Sequence, residues 1–189
     1  MTFEAMQKKV ATYLDEKRYA HVLRVVDMAE KLAERHGISV ERAKKAALLH
    51  DVAKNMPKEE LRQAIEQSGC DLEVLNFHHE LWHAKVGAMI AKDEFNIEEE
   101  CVLDAIRYHT TGRAQMTSLE MVIYLADLVE EGRNFPTVEQ LRQVAFDEVL
   151  EDAMAIAIRH SIQFLASKSV AIYPDSFECY NEHMLRKGK

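Results

Sequence analysis

Residues 19–36 read Tyr-Ala-His-Val-Leu-Arg-Val-Val-Asp-Met-Ala-Glu-Lys-Leu-Ala-Glu-Arg-His, and their spacing decides the fold class. Val22, Val25, Val26, Ala29, Leu32 and Ala33 recur at i, i+3, i+4 and i+7, which gathers them on one face of a helix. Gly37 then stands where a helix usually stops. Working outward, Ser39 is placed to cap a second helix carrying Ala43, Ala46, Ala47 and Leu48 up to His50. Pro57 opens another that Gly69 closes. Further helices are expected from about Glu80 to Phe95 and from about Ile97 to His109. Thr117-Ser118-Leu119-Glu120 has capping-box spacing ahead of the apolar run Met121–Val129, and Thr137-Val138-Glu139-Gln140 repeats it. The last long helix is expected from about Asp147 to Ser167. Pro174 disfavours a helical residue before it, so residues 171–189 read as a C-terminal loop and tail. Alternating strand-like runs are absent, and so are repeats, low-complexity stretches and linkers. The expected fold is a single all-α bundle over residues 1–189, with roughly eight to ten helices.

Composition narrows the function. With only 6 Gly and 3 Pro in 189 residues, a turn-rich β-sandwich is excluded. Apolar residues at 48% rule out a disordered chain. A net charge of −8 excludes a general nucleic-acid binder, so a polyanionic ligand would need a metal ion or a local basic cluster. Cys70, Cys101 and Cys179 are far apart, without a CxxC pair, which excludes a disulfide framework and a zinc finger and reads as reduced thiols. The first residues, MTFEAMQKKVATYL, hold no continuous apolar run, and nowhere do about 18 apolar residues follow one another. No membrane association is expected, and the cytoplasm is the expected compartment.

The chemistry-bearing residues fall in an ordered set. His21 opens the first amphipathic helix, and His50-Asp51 closes the next one directly after Ala46-Ala47-Leu48-Leu49. Asp127 lies inside the apolar run Val122–Val129. A carboxylate among such neighbours is expected to need a partner or a metal. His50 follows His21 by 29 positions and Asp127 follows Asp51 by 76, each on a helix. Imidazole and carboxylate together suit Mn, Fe, Co, Ni or Zn rather than Ca.

This H…HD…D set resembles the HD-domain superfamily of metal-dependent phosphohydrolases, and more closely the bacterial YqeK family of symmetrical dinucleoside tetraphosphatases. The matching stretches are Arg18-Tyr19-Ala20-His21, Leu49-His50-Asp51-Val52-Ala53-Lys54, Glu80-Leu81-Trp82-His83-Ala84, Asp104–Gly112 (DAIRYHTTG), Tyr124-Leu125-Ala126-Asp127 and Tyr173-Pro174-Asp175-Ser176. They span nearly the whole chain. The resemblance implies an HD-domain helical bundle that cleaves diadenosine tetraphosphate to two ADP. It implies that His21, His50, Asp51 and Asp127 hold a metal, with iron favoured over Mn, Co, Ni or Zn. One ion is expected, with His79, His83 and His109 available to a second. It further implies that Lys54, His83, His109, Thr110, Arg133 and the segment Tyr173, Pro174, Asp175, Ser176 and Phe177 line the nucleotide site, the C-terminal loop closing it. The chain departs from the family at Glu131, where a proline is frequent, and at Tyr173, where a histidine is frequent. Both departures bear on substrate fit.

The residue chemistry fits those roles. Lys54 lies three positions after Asp51 and can reach a phosphate beside the metal, and Arg133 suits bidentate phosphate contact. With Asp51 and Lys54, His83 and His109 are the expected catalytic groups, the imidazoles moving protons or polarising a phosphate. Other features read as structural. His78-His79 is expected at a surface helix start, and His36, His160 and His183 are solvated or structural. Trp82 belongs to the core, and Glu98–Glu100 and Glu130-Glu131 are solvated helix faces. The stripe Leu150, Met154, Ile158, Ile162, Leu165 reads as core or as a homodimer face. A nucleoside mono- or triphosphate phosphohydrolase and a non-catalytic nucleotide-binding regulatory module are the alternatives at this stage.

Overall fold

The periodic stretch around His21 forms α2 (Glu16–His36) in the computed structural model, which describes residues 1–69 and 71–187. Cys70 and the last two residues of the expected tail lie outside the described residues. Asp15 caps α2 by accepting a hydrogen bond from the Arg18 amide at 2.8 Å, and Gly37 closes it in the left-handed conformation at φ 68°. α1 (Phe3–Val10) precedes α2, and α3 (Val40–Leu49) follows under the Ser39 cap. α4 spans Lys58–Ser68 between Pro57 and Gly69. A 3₁₀ turn over Leu72–Asn76 and another over His79–Leu81 lead into α5 (Trp82–Phe95). Then come α6 (Glu100–Arg107), α7 (Ser118–Val129), α8 (Val138–Asp147), α9 (Leu150–Ser167) and α10 (Pro174–Lys187). Strands are absent among the described residues.

The expected helices are present, with shifted ends. α7 starts with the full capping box: Thr117 and Glu120 satisfy each other's backbone amides. At α8 the same signature does not cap. The Thr137 hydroxyl lies 3.4 Å from His160 Nδ1 instead, because α9 brings that ring alongside.

The C-terminal segment corrects the sequence reading. α9 ends at Ser167 as expected, but residues 174–187 are a helix, not a loop. Pro174 opens it: proline's missing N–H is unneeded in a first turn, so the residue that stops one helix starts the next. α10 packs back on α9.

α2, α3, α6 and α7 pack around one core that includes Val22, Val25, Leu32, Leu48, Ile106, Ile123 and Leu125. A second apolar cluster joins Leu61, Ile65, Val74, Trp82, Val86 and Tyr173. Trp82 is buried there as expected, its indole N–H donating to the Val74 carbonyl at 2.9 Å. Fully burying each such side chain stabilises by about 1.5–3 kcal/mol, so the two clusters fix the angles at which the helix ends meet. No helix among the described residues is long and apolar enough to cross a membrane.

Candidate metal centre and active site

Five helices bring the ordered set, together with His83 and His109, to one place. His21 projects from the first turns of α2, while His50 and Asp51 sit at the C-terminal end of α3. His83 comes from α5, His109 from just beyond α6, and Asp127 from α7. His21 Nε2 lies 3.1 Å from Asp127 Oδ1 and 3.6 Å from Asp51 Oδ2. His50 Nε2 lies 3.4 Å from Asp51 Oδ2 and 3.9 Å from Asp127 Oδ1. Four donors at these spacings can share one ion at about 2.0–2.2 Å. A second group overlaps it: ligand atoms of His50, Asp51 and His109 lie within 4.8 Å of one another.

Hydrogen bonding sets the imidazole tautomers. His50 Nδ1–H donates to the Ala47 carbonyl at 2.6 Å, and His21 Nδ1–H donates to Glu130 Oε1 at 3.1 Å. Both partners only accept, so in the neutral rings that a metal requires both Nε2 atoms carry lone pairs into the cluster. Those two Nε2 atoms are buried and have no hydrogen-bond partner. Buried polar atoms are normally satisfied, and an ion here would satisfy both at once. The residues therefore fit a transition metal.

The family model of the HD domain matches residues 18–132, which include all four of these residues. The chain belongs to the HD domain family. A symmetrical bis(5'-nucleosyl)-tetraphosphatase from Bacillus subtilis is 43% identical to this HD domain protein over 91% of its chain and 92% of the relative. A protein of the same name from Halalkalibacterium halodurans is 40% identical over 94% and 95%. One from Staphylococcus aureus is 35% identical over 96% and 94%. Among solved structures, a Clostridium acetobutylicum protein, described as a predicted HD superfamily hydrolase involved in NAD metabolism, superposes with a TM-score of 0.93. It shares 34% identity, and 98% of each chain is covered.

In this HD domain His83 and His109 stand beside the ligand set. His83 Nε2 lies 3.0 Å from Asp51 Oδ1 and 3.2 Å from His109 Nε2, and Lys54 Nζ reaches His83 Nδ1 at 3.5 Å. His109 Nδ1–H donates to the Ile106 carbonyl, leaving its Nε2 lone pair toward Asp51. Burial, and then the neighbouring His50 and His83, push the His109 pKa down to about 3, which keeps the ring neutral. Burial pushes the Asp51 carboxyl upward, but His50 and His83 outweigh it and hold Asp51 well below the usual carboxylate range.

Two cavities open on this cluster. The larger, about 730 Å³, includes Arg18, His21, Lys54, Glu130, Arg133 and Phe135 in its wall. The smaller, about 320 Å³, includes Lys54, His109, Thr110, Asp127, Arg133 and Phe135. Thr110 Oγ1 is buried without a hydrogen-bond partner. His83 faces a narrower recess of about 180 Å³ with Lys54 and His79. The structure thus gathers Lys54, His83, His109, Thr110 and Arg133. Arg133 holds Asp127 twice, Nη2 on Oδ1 at 2.5 Å and Nε on the backbone carbonyl at 2.8 Å.

The C-terminal segment lies elsewhere. Tyr173, Pro174, Asp175, Ser176 and Phe177 are in the walls of none of these three cavities. The Tyr173 ring meets Phe77 edge-on at 5.0 Å, and its hydroxyl reaches Asp71 at 2.5 Å. Lys85 Nζ lies 5.6 Å from the centre of the same ring. Phe177 is 44% exposed on α10. Asp175 grips the buried Lys85 at 3.6 Å together with Asp71 at 2.6 Å.

Sequence reasoning missed three residues of this centre. Glu130, read as a solvated face, is 2% exposed and accepts from His21, from Arg24 at 2.6 Å and from the Gly132 amide at 2.5 Å. Glu131 beside it is exposed as expected. Arg18 donates to Asp51 Oδ2 at 2.9 Å. Spacing carried a signal for two of them: Arg24 follows His21 by three and Glu130 follows Asp127 by three, so each shares a helix face with a ligand.

Proposed function

We propose that this HD domain hydrolyses diadenosine tetraphosphate and related dinucleoside tetraphosphates at the central phosphoanhydride, giving two nucleoside diphosphates. One observation carries the reading: the His21-His50-Asp51-Asp127 set, with the Nε2 atoms of both its imidazoles buried and unpartnered, lies beside a cavity walled by Lys54 and Arg133. Identity of 35–43% to symmetrical tetraphosphatases over more than nine-tenths of the chain supports it. Water adds across the central P–O–P bond. One phosphorus takes the hydroxyl, the bridging oxygen leaves with the other, and each half departs as ADP.

His21, His50, Asp51 and Asp127 would hold the metal, which when bound supplies Lewis-acid polarisation of a phosphoryl group and acidifies water. The resemblance favours iron, and the two-imidazole, two-carboxylate donor set supports a transition ion. The protein's own groups do the rest. Lys54, paired with Glu80 at 2.6 Å, exchanges that carboxylate for a phosphate oxygen. Arg133 orients Asp127 and presents its remaining guanidinium edge to the smaller cavity. The Thr110 hydroxyl donates to a phosphate or sugar oxygen. His83, bridging Lys54 and Asp51, passes a proton between cleft and cluster. Tyr173 and Asp175 act from behind by fixing Lys85, two residues from His83 on α5. The unpaired Cys101 and Cys179 support a reducing compartment, which we take to be the cytoplasm.

Metal analysis and product chromatography on a single sample test this function. Two ADP from each diadenosine tetraphosphate support it. Free phosphate or nucleoside from mononucleotides, with the dinucleotide left intact, transfers the protein to the mono- or triphosphate hydrolases.

A further inference from the structure

Lys54, Glu80, Arg133 and Phe135 belong to the walls of both main cavities. His21 and Glu130 face the larger one, whereas His109 and Asp127 face the smaller. The ligand cluster therefore sits on the seam between two separate hollows. The Phe135 ring at that seam is held against His160, centroids 5.3 Å apart and planes 21° apart.

The smaller cavity holds the groups already assigned to nucleotide, His109 and Thr110 among them. The larger one has no assigned occupant. Its charge is distinctive in a chain of net charge −8. Lys17, Arg18, Arg24, Lys54 and Arg133 line it against Asp15, Glu80 and Glu130. In the smaller cavity Lys54 and Arg133 face Glu80 and Asp127, an even balance. Lys17 makes no ion pair among the described residues, so its ammonium is available to a ligand. Arg18 points one guanidinium nitrogen at Asp51 and exposes about a third of its side chain to the hollow. Both cavities fall within the about 300–1,000 Å³ of small-molecule sites.

Cleavage in the middle of a two-nucleoside substrate places the scissile bond at the cluster, with a nucleotide extending away on each side. We propose that the larger cavity, at Lys17, Arg18, Asn55 and Asn134, binds the second nucleoside diphosphate half. Lys17 and Arg18 take its phosphates, and the amide of Asn134 takes a sugar or base edge, while Asn55, donating to Asp15 Oδ2 at 2.8 Å, holds the wall beside them. The inference rests on the proposed tetraphosphatase reaction, since only a substrate with two nucleosides needs both hollows.

The test is calorimetric titration of ADP into the metal-loaded enzyme, compared with the Lys17→Glu and Asn134→Ala double variant. Both positions are exposed, and circular dichroism verifies the fold of the variant. The expected result is about two ADP per chain in the unaltered protein and about one in the variant, with KM for diadenosine tetraphosphate raised about tenfold. One ADP per chain in the unaltered protein, or two retained by the variant, overturns the second site. Failure of the tetraphosphatase reading looks different: no ADP forms from diadenosine tetraphosphate, whatever the ADP stoichiometry.

Discussion

Glu130 Oε1 lies 3.1 Å from His21 Nδ1, and this buried pairing decides which nitrogen of His21 faces the candidate metal centre. The carboxylate is itself fixed by Arg24 and by the Gly132 amide. Such outer partners typically contribute about ten- to a hundredfold to metal affinity. Glu130→Ala is expected to weaken metal binding by about that factor while leaving the four ligands in place. Competition against a chelator measures it, and an unchanged affinity would remove Glu130 from the centre.

The ligand set predicts a sharper loss. His50→Ala and Asp51→Ala should abolish both bound metal and turnover, with helical content largely retained, because an incomplete donor set loses the ion and its electrostatic stabilisation together. Elemental analysis alongside circular dichroism reads both effects. Stoichiometric metal with full activity in either variant contradicts the assignment.

Lys54 and Arg133 should part company. Lys54 touches His83 and Glu80 but none of the four ligands, so Lys54→Ala should keep its metal. Its kcat/KM should fall about ten- to a hundredfold, the worth of about 1.5–3 kcal/mol in a charged hydrogen bond. Arg133 holds Asp127 at two atoms, so Arg133→Ala should lower metal content as well as activity. Equal metal contents in the two variants would show that Arg133 does not position Asp127.

Tyr173 packs in the Trp82 cluster, so its loss is expected to act on stability. Tyr173→Ala should cost about 3–5 kcal/mol, in the range of large aromatic truncations. Tyr173→Phe, which removes only the hydroxyl on Asp71, should cost about 1 kcal/mol. Urea unfolding gives both values. An unfolding midpoint unmoved by Tyr173→Ala would free the ring for base stacking instead.

Cys179 is fully buried, and burial pushes its thiol up to about 12. A raised thiol pKa leaves the nucleophilic thiolate scarce at pH 8. Iodoacetamide should therefore label the half-buried Cys101 well before Cys179 in the native protein, and peptide mass spectrometry reads the order. Faster labelling at Cys179 would mean that α10 opens readily.

The sequence alone determined the helical class, the caps at Ser39 and Thr117, and the chain order of His21, His50, Asp51 and Asp127. Each of these depends on local spacing or on a chain order that a fixed bundle must bring together, and spacing is written along the chain. Tertiary structure decided the rest. Glu130 and Glu131 are adjacent and chemically alike, yet one is buried on His21 and Arg24 while the other pairs with Lys31 at the surface. The difference lies in how α7 ends against α2, which no local pattern records. Pro174 carried two local meanings, terminator and first helical residue. The docking of α10 on α9, with Tyr173 in a core built from residues about a hundred positions away, selected the second. The two hollows meeting at Lys54 and Arg133 likewise exist only once α2, α7 and the loop after α7 are packed together. Burial and cavity shape arise from contacts between distant segments, and those contacts are set by the whole core.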